Sequence, residues 1–180
     1  GIFIIMKRVI ITKNFNLLVS TSRYNETNAK SELWFTLLMC GDKYPIISGI
    51  QFPGLITALT NLSTKNVISK IKKILKKNPQ FFQFILKIVP IDFICVTDIK
   101  TIRRIIRDNY KVFINEEDTF RITLKRRHHE KIERTNFIEE IAKDIDNKVN
   151  LENPDKIIRI EILGNISGVS ILKKNEIIRV

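Results

Sequence analysis

Hydrophobic positions along the chain fall into short blocks whose spacing alternates between the two-residue period of a strand and the roughly 3.6-residue period of a helix. Asn16 to Ser22 is an apolar run ending in small polar residues and predicts a strand. Asn25 to Cys40 follows at helical spacing, closes on Gly41, and is expected to bury Ala29, Leu33, Trp34 and Leu37. Pro45 to Gln51 and Leu55 to Thr60 predict two strands joined through the turn signal Phe52-Pro53-Gly54. Ser63 to Lys77 predicts a second helix with Val67, Ile68, Ile71, Ile74 and Leu75 on one face and Lys65, Lys70, Lys72, Lys73, Lys76 and Lys77 around it, stopped by Asn78-Pro79.

Beyond that stop, Phe82 to Ile91 predicts an apolar strand, and Asp98 to Tyr110 a helix with Ile99, Ile102, Ile105 and Ile106 inward and Lys100, Arg103, Arg104 and Arg107 outward. Asp118 to Arg126 alternates as a half-buried strand, with Phe120, Ile122 and Leu124 on one side and Arg121, Thr123 and Lys125 on the other. It runs into Arg126-Arg127-His128-His129. Asn136 to Lys148 predicts a helix capped by Asn136 with Glu139 at its third position. Ile157 to Leu163 and Gly168 to Leu172 predict a closing hairpin through Gly164-Asn165, with a last short strand at Glu176 to Val180. Strands separated by helices of this length imply a mixed α+β or α/β architecture, sheets backed by helices. The softest point in the pattern, near Lys65, is the expected domain boundary.

Composition narrows the partner more than it narrows the fold. Thirty-one Lys and Arg against 19 Asp and Glu give a net charge of +12, and 44% hydrophobic content is ample for cores. Such a surface favours a polyanion, with nucleic acid the leading class. No apolar run approaches the roughly 20 residues of a spanning helix, so a soluble, cytoplasmic protein with no membrane partner is expected. Gly1 to Met6 is apolar but lacks the basic lead and cleavage site of a signal peptide; an edge strand is expected there. Cys40 and Cys95 stand alone and read as buried, reduced thiols.

Enzymatic signatures are not found. The six glycines are too scattered for a phosphate-cradling loop, so no nucleotide cofactor is expected. His128 and His129 are adjacent, so on a strand they point to opposite faces and do not share a metal. Neither a catalytic residue nor a metal ligand is therefore assigned. The positive signal is the cluster Arg121, Lys125, Arg126, Arg127 and His128 at a strand end, whose physics suits phosphate contact.

Four segments resemble the stand-alone THUMP-domain proteins that assist tRNA cytidine acetylation: NLLVSTSRYNE at 16–26, KIVPID at 87–92, TFRITLKRRHH at 119–129 and NKVNLENPDKIIRIEILGNISGVSIL at 147–172. The resemblance implies an N-terminal ferredoxin-like domain over residues 1–65 and a THUMP domain over 66–180. It implies a tRNA-binding adaptor without chemistry of its own, which presents tRNA to a separate RNA cytidine acetyltransferase. The family's basic strand carries over as Arg121, Lys125, Arg126 and Arg127, and its opening turn as Ser22 and Arg23. Lys72, Lys73 and Lys76 on the basic helix and His128 complete the expected RNA-binding set. A tRNA-modifying enzyme, a general RNA-binding module and a basic protein- or membrane-surface module are the alternatives.

Overall fold

A computed structural model describes residues 14–127 and 132–180, and the chain divides into two compact units. The expected edge strand at Gly1 to Met6, and His128 and His129, lie outside the described residues.

The first unit comprises residues 15–91 and 175–180. Its order is β1 (Leu17–Thr21), α1 (Glu26–Met39), β2 (Ile46–Gly49), β3 (Leu55–Leu59), α2 (Thr64–Lys77) and β4 (Ile85–Pro90). The strands stand in the order β2-β3-β1-β4, each pair antiparallel, which is the ferredoxin-like split βαβ arrangement. Central β1 fixes the register: Val19 faces Ile56 on one neighbour and Ile88 on the other, all three fully buried. Ala29, Leu33 and Leu37 of α1 and Val67, Ile68 and Ile71 of α2 pack into the same core. Gly41 ends the first helix at φ +105, a conformation that residues with a Cβ rarely adopt.

Trp34 departs from expectation, being 49% exposed beside the exposed Phe35 and Met39. The i, i+4 row Ala29-Leu33-Leu37 already fills the core-facing stripe, and Trp34 sits about 100° around the helix from Leu33. The expected boundary at 65/66 falls in the first turn of α2, whose Val67, Ile68 and Ile71 belong to this unit's core, whereas the two units divide at Ile91/Asp92.

The second unit, residues 92–174 of the described chain, contains β5 (Phe93–Val96), α3 (Ile99–Phe113), β6 (Phe120–Arg127), α4 (Arg134–Ala142), β7 (Lys156–Leu163) and β8 (Ile166–Leu172). Its sheet order is β5-β8-β7-β6; β7 and β8 form the expected hairpin, while β6 runs parallel to β7. Ile122 and Leu124 pair with Ile158 and Ile160 and meet Ile102, Ile106 and Tyr110 of α3 and Phe137 and Ile141 of α4 in one core.

Strand β5 is missing from the sequence reading because the apolar pattern runs on past Pro90 without a break in period. Pro90 and Asp92 in fact divide it: Ile91 N–H donates to Asn16 O in the first sheet and Asp92 N–H to Val169 O in the second. Asp98 caps α3, accepting from the Thr101 hydroxyl at 2.8 Å and its N–H at 2.9 Å, and these bonds hold its carboxyl below the ordinary range. Helix α4 begins earlier than expected. Glu133, not Asn136, is its cap, because its two carboxylate oxygens accept from both Thr135 N–H and Asn136 N–H. The helix stops at Ala142, yet Ile145 still reaches the core through the following turn. The final strand, β9 (Ile178–Arg179), returns to the first unit and pairs with β4, giving that sheet its fifth strand.

Candidate nucleic-acid interface

Strand β6 forms one edge of the second sheet. The alternation of its sequence buries Phe120, Ile122 and Leu124 and leaves Arg121, Lys125 and Arg127 on the other face, while Arg126 follows Leu124 on the apolar side and is exposed at the strand end. The structure treats these cations unequally. Lys125 is exposed, and its side chain makes no hydrogen bond or ion pair among the described residues. Arg121 donates from Nη1 to Leu151 O at 2.9 Å, and Arg126 donates to Ile132 O. Arg127 pairs through Nη1 with Glu161 Oε2 at 3.0 Å.

Glu161 is the pivot of this strand end. It lies on β7, 1% exposed, and its other oxygen accepts from Arg159 Nε at 2.8 Å; Arg159 is itself only 3% exposed. Two guanidinium groups against one carboxylate leave an excess positive charge, and burial makes the pairing obligatory for Glu161. Neither Arg159 nor Glu161 stands out in the sequence as more than an alternating charge in an Ile-rich strand. Parallel pairing with β6, which places Lys125 opposite Glu161, could not be read from periodicity.

Helix α3 adds a row in which the outward-facing Lys100, Arg104 and Arg107 of the sequence pattern are joined by Lys111, which that pattern did not single out. Lys100, Arg104, Arg107 and Lys111 recur at i, i+4, i+7 and i+11, which lines one side of a helix. Lys100, Arg104 and Lys111 are exposed and carry no ion pair among the described residues. Arg107 reaches Asp108 at 3.1 Å, an exposed pair of little energetic weight. Arg103 turns away from this row toward α4 and the turn after it, donating from Nε to Asp144 at 2.6 Å and from Nη1 to Glu140 at 3.2 Å. The Arg103 hydrogen bond holds the Asp144 carboxyl below its ordinary range.

The other expected residues belong to the first unit. On α2, Lys70 is spent on Cys40 O at 2.8 Å and Lys65 pairs with Glu176 at 3.6 Å, whereas Lys72, Lys73 and Lys76 make no side-chain bond among the described residues. The helix holds no acidic residue. Arg23 is exposed in the turn between β1 and α1. Within each unit the expected cations therefore fall on a shared surface element, strand β6 or helix α2, with Arg23 on a turn of its own.

Among the described residues no group of His, Cys, Asp and Glu is placed to hold a metal ion, and no helix is long and apolar enough to cross a membrane. Cys40 and Cys95 are both buried thiols, and burial pushes the Cys95 thiol up to about 12. Arranged this way, the surfaces offer both anchored and solvated cations, and the chemistry they support is anion binding.

Residues 97–172 match the family model of the THUMP domain, so α3, β6 and the β7–β8 hairpin all lie inside a THUMP domain. A search of curated proteins returns no match. Among solved structures, PH1313 from Pyrococcus horikoshii Ot3 is similar at 19% identity and a TM-score of 0.65, covering 89% of this chain and 55% of its own. A 4-thiouridine synthetase solved as an RNA complex with bound ATP is similar at 14% identity and a TM-score of 0.54, over 92% of this chain and 42% of that one. TrmN from Thermus thermophilus follows at 8% identity and a TM-score of 0.55, over 86% of this chain and 44% of its own. At these identities the likeness is one of fold, and the chain spans about half the length of the structures it matches.

Proposed function

We propose that this chain binds tRNA through the basic surfaces of β6, α3 and α2 and acts as an adaptor, presenting the tRNA to a separate RNA cytidine acetyltransferase. The observation that carries the RNA-binding part is the coincidence of the THUMP match at 97–172 with a strand end and a helix row rich in cations. Phosphate contacts of this type capture a folded RNA by charge and shape without reading its bases. The adaptor role rests on the resemblance of residues 16–26, 87–92, 119–129 and 147–172 to the acetylation-associated THUMP proteins. In this reading the chain does no chemistry; it raises the local concentration of tRNA at the enzyme that does.

Reconstitution tests the proposal. A purified RNA cytidine acetyltransferase, acetyl donor and tRNA are incubated with and without this chain, and acetylated cytidine is quantified by mass spectrometry of the digested RNA. A yield that rises with added chain supports the adaptor. Equal yields, with tRNA binding intact, remove the acetyltransferase from the proposal and leave the RNA-binding part.

A second reading draws on the structural neighbours, one of which is a 4-thiouridine synthetase bound to RNA and more than twice as long as the matched portion. There, the fold found here is one part of a modifying enzyme. Alteration of any nucleotide by this chain alone would favour that reading.

A further inference from the structure

Packing explains Tyr24 less well than any of its neighbours. The residue is 94% exposed, yet its backbone stands at φ +70, making it the one non-glycine residue at positive φ among those described. A tyrosine rarely adopts this conformation, and its persistence at a surface position requires a surrounding structure that fixes the turn. That structure is present. Asn25 Nδ2 donates to Ser22 Oγ at 2.6 Å, closing the turn between β1 and α1.

Facing the turn is the loop before β3, tied to it from two sides. Thr21 N–H donates to Gly54 O at 2.9 Å, and Gly54 N–H donates to Glu26 Oε1 at 2.8 Å. Gly54 is required here, because at φ +80 a Cβ would lie 2.8 Å from Thr21 O. Between turn and loop lies a cleft of about 450 Å³, lined in part by Arg23, Tyr24, Lys30, Gln51 and Phe52, within the size range of small-ligand sites. Lys30 Nζ lies over Gly49, 3.2 Å from where a Cβ on that residue would stand. Arg23 and Lys30 supply positive charge, Tyr24 and Phe52 aromatic surface, and Gln51 an amide. Glu26, the carboxylate in the lining, is committed to Gly54, and that hydrogen bond holds its carboxyl below the ordinary range.

We propose that this cleft takes an unpaired nucleotide of the bound RNA, its base stacked on Tyr24 and its phosphate held by Arg23 and Lys30. The proposal deepens the RNA-binding reading and rests on it. Exposed aromatic rings beside cations suit an unstacked base with its phosphate, since every base presents a π-face and each nucleotide brings a negative charge beside it. An apolar protein segment would instead face two cations and a carboxylate already committed to Gly54.

The test compares an RNA hairpin with a short unpaired adenosine tail against the same hairpin ending blunt. Both are titrated by fluorescence anisotropy at one salt concentration against the wild-type chain, Tyr24→Gly and Tyr24→Phe. Glycine suits positive φ, so Tyr24→Gly removes the ring without straining the turn, and an undiminished Tm confirms that it folds. The tail should tighten wild-type binding about tenfold, the scale of one stacked base. Tyr24→Gly should lose that increment and keep the blunt-hairpin affinity, and Tyr24→Phe should retain it. A tail increment that survives in Tyr24→Gly overturns the site. So does equal binding of both hairpins by the wild type, which leaves RNA binding standing and assigns the exposed ring to another partner. Failure to bind either hairpin overturns the underlying RNA-binding reading together with the site.

Discussion

Glu161 sorts the arginines around it into different physical classes. Replacing it with Ala would leave Arg159 buried and unpaired, so Glu161→Ala should cost about 3–5 kcal/mol in urea unfolding. Arg127→Ala should cost less, because Glu161 keeps Arg159, whereas Lys125→Ala should leave stability unchanged. RNA affinity is expected to fall in both Arg127→Ala and Lys125→Ala, with only the former showing a shifted denaturation midpoint. Cys95 gives a pH signature. Its thiol is held protonated up to about 12, against an ordinary value of 9.0. The folded state therefore binds a proton that the unfolded chain releases, and the contribution is fully present below pH 9 and is lost as pH rises from 9 towards 12. Unfolding at about pH 8 and about pH 10 should show the wild type losing roughly 1 kcal/mol more than Cys95→Ala between the two conditions. Equal losses would show that the thiol is not protected.

At the scale of elements, the cations work as rows. Converting Lys100, Arg104 and Lys111 to Gln leaves the buried face of α3 untouched, so melting should be unaffected. The slope of log affinity against log salt should flatten by about 0.9 for each phosphate that the helix no longer neutralises. The same substitutions at Lys72, Lys73 and Lys76 test α2 separately, and an unchanged slope would withdraw that helix from the interface. Elements with one strong period were legible in the sequence: β1, α1, α2, α3 and the β7–β8 hairpin lie within a few residues of their expected positions. What periodicity does not encode was missed. A carboxylate reaching two backbone N–H groups made Glu133 the cap of α4, and a sheet change at Ile91–Asp92 hid β5 inside a longer apolar run. Pairing of β9 with β4 joins Ile178 to Ile88, half the chain apart in sequence and beyond any local signal. The basic strand end was visible as composition, but which arginines were already engaged required Glu161 to be placed.

For the whole molecule, the decisive property is a net charge of +12 carried by two units that each display cations without matching acids. Such a field draws polyanions by counterion release, and structured RNA presents the phosphates at fixed spacing. The most direct test is equilibrium binding of the wild-type chain to folded tRNA and to an unstructured RNA of equal length across a salt series. If the basic surfaces grip a folded tRNA, it should win at moderate salt, with a log–log slope of roughly −3.6 for about four phosphate contacts on duplex. Equal, weak binding of both RNAs with a slope near zero would contradict the account and reduce the charge to a solvated surface.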